Sequence, residues 1–190
     1  MRLLLAMVAL LSAAAHADWT LTADSSVNFL TTKNTNLTEI HHFRAVQGSI
    51  AKSGVATLNI DLTSVDTTIP VRDQRMRDIL FETNRFTTAV FTTVLNPDVM
   101  KKAADGKPLL TQVAGKLALH GNEEDVQVSV MVTPARDGSL VVSSVQPVLV
   151  HADAFSLTAG IQKLREIAGL ERIADVVPVN FTLTFSKASE

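Results

Sequence analysis

The residues best suited to chemistry lie in one short stretch, IPVRDQRMRDILFE, at residues 69–82. It holds three arginines, two aspartates and a glutamate between segments that otherwise alternate apolar and polar residues. Guanidinium groups bind phosphate or carbonyl oxygens through charge-assisted hydrogen bonds, so this stretch could hold the polar head of a ligand. The three acidic residues could equally neutralise the arginines, and Arg72 with Asp73 could instead fasten the segment to its surroundings.

Two other groups of residues could support metal binding or catalysis, and the sequence argues against both. His41 and His42 are adjacent, so on a strand they point to opposite faces and cannot hold one ion together. Ser64, His120 and Asp153 could be written as a hydrolytic triad, but no Gly-x-Ser-x-Gly elbow accompanies them. We therefore expect no metal site and no enzyme, and keep an enzyme acting on a lipid as the weaker alternative.

The first 17 residues, MRLLLAMVALLSAAAHA, have the pattern of a secretory signal peptide. One basic residue precedes an apolar run, and the small-x-small triplet at residues 15–17 is typical of a cleavage site. The run is shorter than the about 20 apolar residues of a membrane-spanning helix, so no integral membrane segment is expected after cleavage. We expect cleavage after Ala17, export to a bacterial periplasm, and one domain over residues 18–190.

Composition narrows the class of partner. The chain has 17 basic and 19 acidic residues, a formal charge of -2 that becomes -3 once Arg2 is removed; this balance gives no reason to expect nucleic acid as a partner, since such binding needs a basic face. It has no cysteine, so disulfides and lipid attachment to cysteine are unavailable. An apolar fraction of 46% in an exported chain indicates either that the fold encloses something or that its core is simply well filled.

Alternation of apolar and polar residues dominates the rest of the chain and predicts half-buried strands. It is clearest in VQVSVMVT, ATLNIDLT and PVNFTLTF, with weaker segments near residues 19–30, 38–50, 87–95, 109–120 and 139–151. Residues 69–82 and 158–169 have helical spacing instead, with Pro70 suited to a helix start and Gly169 to a C-terminal cap. Eight antiparallel strands with two short helices predict an all-β, up-and-down barrel, which removes exposed strand edges.

The first predicted helix is amphipathic. Met76, Ile79 and Leu80 recur at i, i+3 and i+4 and form its inward face, while Asp73 and Arg77 can pair across one turn. The interior of an eight-stranded barrel holds side chains or one ligand. We therefore expect the helix to act as a lid over one end of the barrel.

The run ATLNIDLTSVDTTIPVRDQRMRDILFETNRFTTAVFTTVL, with DSSVNFLTTK, QGSI and VAGKLALHG, resembles the YceI-like family of exported proteins. The resemblance implies a lipocalin-like barrel that binds a polyisoprenoid or related lipid. Two positions depart from the family pattern: Arg75 stands where the family has histidine, and residues 151–155 replace its Arg-Ser-Asp-Phe-Gly segment. The motif residues are Ser64-Val65-Asp66-Thr67, Arg72-Asp73-Gln74-Arg75-Met76-Arg77, Leu80-Phe81, Arg85-Phe86 and Val90-Phe91.

Together these observations predict a periplasmic binding or carrier protein that encloses a long-chain isoprenoid lipid, a quinone included, without a covalent cofactor. A filled barrel acting as an interaction or stress-response module is the alternative. The oligomeric state is left open, with a homodimer as one alternative. The predicted head-group or lid residues are Arg72, Asp73, Arg75, Arg77, Met76 and Leu80. The predicted lipid-binding residues are Val27, Phe29, Leu58, Ile60, Leu62, Phe81, Phe86, Phe91, Val128, Val130, Phe155, Leu164, Phe181 and Leu183.

Overall fold

The structure is a computed structural model that describes residues 17–188. The predicted signal peptide lies outside these residues apart from Ala17, so its cleavage stays a prediction. Among residues 17–188, no helix combines the length and the apolar character that crossing a membrane requires. The strands are β1 (Ala17–Leu21), β2 (Ser26–Lys33), β3 (Leu37–Phe43), β4 (Val46–Ala51), β5 (Val55–Asp61), β6 (Val65–Asp66), β7 (Thr88–Val94), β8 (Leu109–Leu119), β9 (Asn122–Pro134), β10 (Leu140–Ser144), β11 (Val148–His151) and β12 (Val176–Lys187). The helices are α1 (Pro70–Arg75), α2 (Pro97–Ala104) and α3 (Thr158–Ala168).

These strands form a closed antiparallel barrel of eight wall strands, as the sequence predicts. We call each wall strand, whether it is continuous or bent, a stave. β1 and β2 are two parts of one stave, as are β3 and β4, β5 and β6, and β10 and β11, and a bend interrupts each. The barrel closes where β12 pairs with β1 and β2. The long predicted segments 19–30, 38–50 and 139–151 correspond to three of these bent staves.

The alternation in β9 shows how the sequence sets the inner surface. Val128, Val130 and Val132 are buried in the interior, whereas Ser129 and Met131 between them are partly exposed. Successive residues of a strand point to opposite faces, so every second side chain along β9 faces inward.

Connections between antiparallel strands alternate between the two ends of the barrel. α1 and α3 therefore lie at one end, which we call the lid end, and α2 lies at the other, which we call the base. The predicted number of two helices was wrong, because a third helix follows Asn96-Pro97, a pair of residues that is also common in turns. That pair in fact starts α2: the Asn96 side chain accepts from the Asp98 amide at 2.8 Å, and Pro97 takes the first helical position.

The two predicted helices are present, with one change in geometry. α1 begins at Pro70 and passes at Met76 into a single π-helical segment, Met76–Leu80. α3 ends at Gly169, whose φ of 62° is the left-handed conformation of a C-terminal cap.

The predicted pair of Asp73 and Arg77 was wrong. Asp73 is buried and accepts from the amide of Thr67 at 2.8 Å, while the Arg77 guanidinium donates to the Gln74 side chain at 2.9 Å. The carboxylate caps the loop that precedes the helix, so it is not available to a neighbour one turn along.

Candidate functional site: a cavity beneath the lid helices

A cavity of about 630 Å³ occupies the barrel interior. It extends from Leu80 and Ile161 under the lid helices to Met100 and Ala103 of α2 at the base. Between these ends its wall consists of the inward faces of the strands. The volume is in the range of about 300–1,000 Å³ that is typical of small-molecule sites.

Most of the predicted lipid-binding residues share this wall. Two of them do not line the cavity: Phe155 is buried in the core of the lid end, and Phe86 stacks on His120 with ring centroids 4.5 Å apart. The cavity-lining members of the set are Val27, Phe29, Leu58, Ile60, Leu62, Phe81, Phe91, Val128, Val130, Leu164, Phe181 and Leu183.

Sequence reasoning missed two parts of the lining. Val99, Met100 and Ala103 come from α2, which the sequence did not predict. Leu170 and Ile173 come from the loop between α3 and β12, which the main chain ties to the β2–β3 hairpin. The apolar spacing Val99-Met100-Ala103 was the available signal for α2, at i, i+1 and i+4 after an Asn-Pro helix start.

Charged side chains line the cavity at the lid end. Lys33, Arg72 and Arg75 are cationic, and Glu39 forms ion pairs with the first two. Arg75 makes no ion pair or side-chain hydrogen bond with any residue between 17 and 188. These three cations are the charged side chains that residues 17–188 contribute to the lining of an otherwise apolar cavity, while the carboxylates of Glu39 and the buried Asp73 lie nearby.

Glu39 is ionised in this setting. A hydrogen bond from Lys33, followed by the hydrogen bonds and charge of Arg72, lowers the pKa of Glu39 below its usual value. The carboxylate therefore holds the lysine of β2 and the arginine of α1 together at the rim of the barrel.

His41 is the imidazole that faces the cavity. It is 3% exposed, its Nε2 lies 2.9 Å from Thr31 Oγ1, and its ring meets Phe29 edge-on. Burial, with the nearby charge of Arg72 as the second cause, lowers the pKa of His41 from 6.5. The ring is therefore neutral at pH 7, and no carboxylate lines the cavity beside it within the described residues.

Of the predicted head-group or lid residues, Arg72, Arg75, Met76 and Leu80 line the cavity. Asp73 and Arg77 do not, and both instead make contacts around α1. Ile79 also turns away from the cavity, so the inward face predicted for the helix is correct only for Met76 and Leu80. The π-helical segment changes the angular spacing after Met76, which is why a regular 3.6-residue pattern misplaces Ile79.

The lid end has a mouth between α1 and the C-terminal end of α3. Ile69 and Val71 are 43% and 56% exposed and yet line the cavity, and Ala168 is exposed and does the same. Leu170, partly buried, completes this rim. Apolar groups that are exposed to solvent and also belong to the cavity wall mark the place where the cavity opens.

A latch centred on His120 joins the two lid helices to the barrel. The Nε2 atom of His120 lies 2.8 Å from Oε2 of Glu82, a residue that follows the π-helical segment. The Nδ1 atom of His120 lies 3.2 Å from the carbonyl oxygen of Phe155, a residue that precedes α3. Glu82, His120 and Ser156 all have left-handed backbone conformations, with φ of 47°, 51° and 57°. Such conformations are costly outside glycine, so the surrounding contacts must hold them in place.

The side chains considered for a triad and for a metal site are engaged elsewhere or point apart. Ser64 donates to the carbonyl of Asp61 at 2.6 Å, and His120 is engaged in the latch, so neither contacts the other. The His42 side chain is 44% exposed and points outward, away from the cavity that His41 faces. Its Nε2 lies 3.2 Å from Oδ2 of Asp66. Residues 17–188 contain no cluster of three or more potential metal ligands.

Comparison with known proteins identifies the family of this chain and structures with the same fold. A model of the YceI-like domain matches residues 19–185. A polyisoprenoid binding domain from Saccharophagus degradans, implicated in plant cell wall breakdown, is 35% identical, with a TM-score of 0.87 over 91% of this chain and 100% of that chain. No curated protein matches the chain.

Two more distant structures share the fold. BcnA from Burkholderia cenocepacia is 24% identical with a TM-score of 0.60, covering 85% of this chain and 96% of that one. A YCEI protein from Campylobacter jejuni is 16% identical with a TM-score of 0.55, covering 79% and 85%. The family match along nearly the whole described chain, together with the 35% identical structure, shows that this chain belongs to the YceI-like family.

Proposed function

We propose that the protein is a periplasmic carrier that encloses the tail of a polyisoprenoid or related long-chain lipid, a quinone included, inside its barrel. The observation that carries the proposal is the cavity of about 630 Å³, which is apolar from the base upward and charged only at the lid end. The relative from Saccharophagus degradans, described as polyisoprenoid binding, supports the same ligand class.

Burial of the tail provides enough free energy for binding. A buried CH2 group contributes about 0.8 kcal/mol, so one five-carbon isoprene unit contributes roughly 3 to 4 kcal/mol when it is fully enclosed. Three or four units exceed the lower part of the association cost of about 4–15 kcal/mol. A carrier of this kind needs a dry apolar interior and no covalent cofactor.

The distribution of charge gives the bound lipid a direction. The tail lies toward α2, where the lining is apolar, and the polar head lies at the mouth near Arg75. Arg75 is the suitable head-group residue because Arg72 is already held by Glu39. Met76 and Leu80 of the π-helical segment cover the tail from above, so the head and the tail of the lipid are bound by α1 and by the segment that continues it.

A binding role fits the interior better than catalysis or a filled barrel. His41, the imidazole that residues 17–188 contribute to the wall, has a hydroxyl rather than a carboxylate as its near partner, so it lacks the group that would orient it as a general base. A filled interaction module would not need an apolar cavity of this size. Neither alternative accounts for the open mouth between α1 and α3.

Native mass spectrometry of the protein purified from a bacterial periplasm tests the proposal. We expect a stoichiometric extra mass that solvent extraction removes and that is identified as a prenyl or acyl lipid. A protein that is empty as isolated and that also takes up no added prenyl lipid would contradict the carrier function.

A cavity-filling variant separates lipid binding from folding. Val130→Trp places an indole in the cavity and should abolish lipid retention while the protein stays folded, with a loss of no more than about 1–3 kcal/mol, because the new ring extends into existing space. Thr133→Trp, on the exposed face of the same strand, should bind lipid normally. Equal lipid content in the two variants would show that the lipid binds elsewhere.

A further inference from the structure

The barrel wall has one place where neighbouring staves are not hydrogen-bonded. β9 pairs with β8 along residues 122–132 but with β10 only over residues 130–134. β11, which continues the β10 stave, pairs with β12 and with no other strand of residues 17–188. The edge of β9 over residues 122–129 therefore faces the edge of β11 without pairing, and we call this gap the seam.

A bend in the chain explains the seam. β10 ends at Ser144, and the last main-chain bond to β9 runs from the Val145 amide to the Ser129 carbonyl at 2.9 Å. Pro147 follows and has no amide hydrogen, so it cannot continue the ladder. Beyond the bend the chain follows β12 as β11 and leaves β9 without a partner on that side.

The register identifies the main-chain groups that point into the seam. The Ser129 carbonyl faces β10, and main-chain groups of alternate residues along a strand point to the same side. The amides and carbonyls of Asp125 and Gln127 therefore point toward the seam. On the other side, the Ala152 amide donates to the Asp175 carbonyl of the β12 side at 2.8 Å, so Leu149 and His151 present their amides and carbonyls to the seam. Within the described chain these groups have no hydrogen-bond partner on the seam side.

The surface of the seam is a polar groove. It has a volume of about 400 Å³, and Gln112, Gln127, Ser129 and Gln146 contribute to its lining. Unpaired amides and carbonyls in such a groove are the groups by which one strand recognises another, and exposed strand edges are natural sites of strand addition.

The charge of the β9 edge selects among possible strands. The part of this edge nearest the lid end carries three consecutive acidic residues, Glu123, Glu124 and Asp125. Lys116 forms ion pairs with the first and third of them. Glu124 is exposed although it lies on the same face as the inward-facing Val126 and Val128, as expected where the wall is open. A second copy of this chain docking edge to edge would bring like charges together, so a basic strand is the complementary partner.

We propose that the seam is a docking site for an extended basic segment of a partner protein, which adds to the β9 edge as an extra strand. The main-chain groups of Asp125 and Gln127 pair with the added strand, and the acidic residues nearest the lid end bind its basic side chains. Strand addition at the seam leaves every existing strand pair of the barrel in place.

The test uses a synthetic nine-residue peptide of alternating lysine and valine, added to the isotope-labelled full chain. We expect amide resonance shifts confined to the seam, and hydrogen exchange at Asp125 and Gln127 slowed about tenfold when nine-tenths of the protein is bound. The matched probe is the same peptide methylated on alternate backbone nitrogens, which keeps its charge but cannot form the ladder. It should produce neither effect.

Two further outcomes decide the question. A glutamate-valine peptide of the same length should bind at least tenfold more weakly, and the double variant Glu124→Lys, Asp125→Lys should reverse that preference. Equal binding of the methylated and unmethylated basic peptides would show a non-specific charge effect and overturn the proposal. So would resonance shifts at the mouth instead of the seam, or no shifts at all.

Discussion

The guanidinium of Arg72 on α1 binds the carboxylate of Glu39 on β3: its Nη1 donates to Oε2 at 2.9 Å and to Oε1 at 3.1 Å. Its Nη2 donates to the carbonyl of Thr67 at 2.7 Å. One side chain thus joins the lid helix, the loop before it and the barrel wall. The charged stretch is in part a fastening, since its first arginine is committed to a residue 33 positions earlier in the chain.

Arg72→Leu should lower the free energy of unfolding by about 1.5–3 kcal/mol, because it removes several hydrogen bonds between charged or buried groups. Arg77→Leu is the matched control, since Arg77 bonds to Gln74 three residues back and makes only a long contact of 3.5 Å with the Thr63 carbonyl; its effect should stay within about 0.5 kcal/mol. Urea unfolding monitored by circular dichroism measures both. Equal losses in the two variants would contradict the fastening role.

His120→Asn should loosen the lid end. Asparagine tolerates the left-handed backbone at this position, so the change removes the two hydrogen bonds of the latch without adding backbone strain. We expect the free energy of unfolding to fall by about 1–3 kcal/mol and amide exchange to accelerate at Phe81 and Ile161. His151→Asn, at an exposed histidine, should change neither quantity. If amide exchange at the two lid positions stayed unchanged in His120→Asn, the latch would have no role in holding the helices.

Gly160→Ala should separate the lid helices although alanine is the better helix former. A β-carbon at residue 160 would lie 2.8 Å from the Ile79 carbonyl oxygen and 3.0 Å from the Leu80 α-carbon. Relief of this overlap should cost about 1–3 kcal/mol, more than the about 1 kcal/mol gained in helix propensity. Gln162→Ala, on the exposed side of α3, is the control and should be neutral or slightly stabilising. A raised melting temperature for Gly160→Ala would refute the close approach of the two helices.

His41 should make the fold less stable as the pH falls below about 6.5. Burial and Arg72 lower its pKa in the folded state, whereas the unfolded chain has the ordinary value of 6.5. Between these values the unfolded state binds more protons, so the free energy of unfolding rises with pH and is lost on acidification through that window. The charges around the ring are those of Lys33, Glu39, Arg72 and Asp73.

The variant His41→Gln isolates this contribution from the other titrating groups. The free energy of unfolding of the wild type minus that of the variant should fall between pH 8 and pH 5, as measured by urea unfolding at each pH. A difference that stays constant over this range would show that His41 keeps its ordinary pKa in the fold.

Leu80→Asp tests the covering role of the π-helical segment. Leu80 lines the cavity and packs against the core of the lid end, so a carboxylate there loses apolar contact and lies against the tail of a bound lipid. We expect a loss of about 2 kcal/mol or more in the free energy of unfolding, or a lipid content reduced to background. Leu80→Met, which conserves volume, should retain both. An unchanged melting temperature together with unchanged lipid content in Leu80→Asp would remove the lid assignment.

Local sequence patterns were sufficient for the features that depend on one segment at a time. Period-two alternation identified the staves and assigned most of the cavity wall to the correct face, since a residue's face on a strand depends only on its parity. Pro70 and Gly169 marked the ends of the lid helices, because the fixed φ of proline and the left-handed φ of glycine are local properties.

Phe86 and Phe155 show where such patterns fail. Both were predicted to line the interior because they are large and apolar, yet one stacks on His120 and the other packs within the core of the lid end. Their positions depend on the latch, whose members come from three separate connections at the lid end. No local pattern records that proximity.

The sequence by itself determined the class of fold, the faces of the strands and the presence of two lid helices, because each follows from short-range periodicity and turn chemistry. Only the tertiary structure decided that Arg72 binds Glu39, that α2 closes the base, that Arg75 lines the cavity without an ion pair to any of residues 17–188, and that β9 and β11 separate at the seam. These features depend on how the barrel closes and where its staves bend. Closure brings together residues far apart in the chain, and their contacts are set by the whole set of strand registers rather than by any one segment.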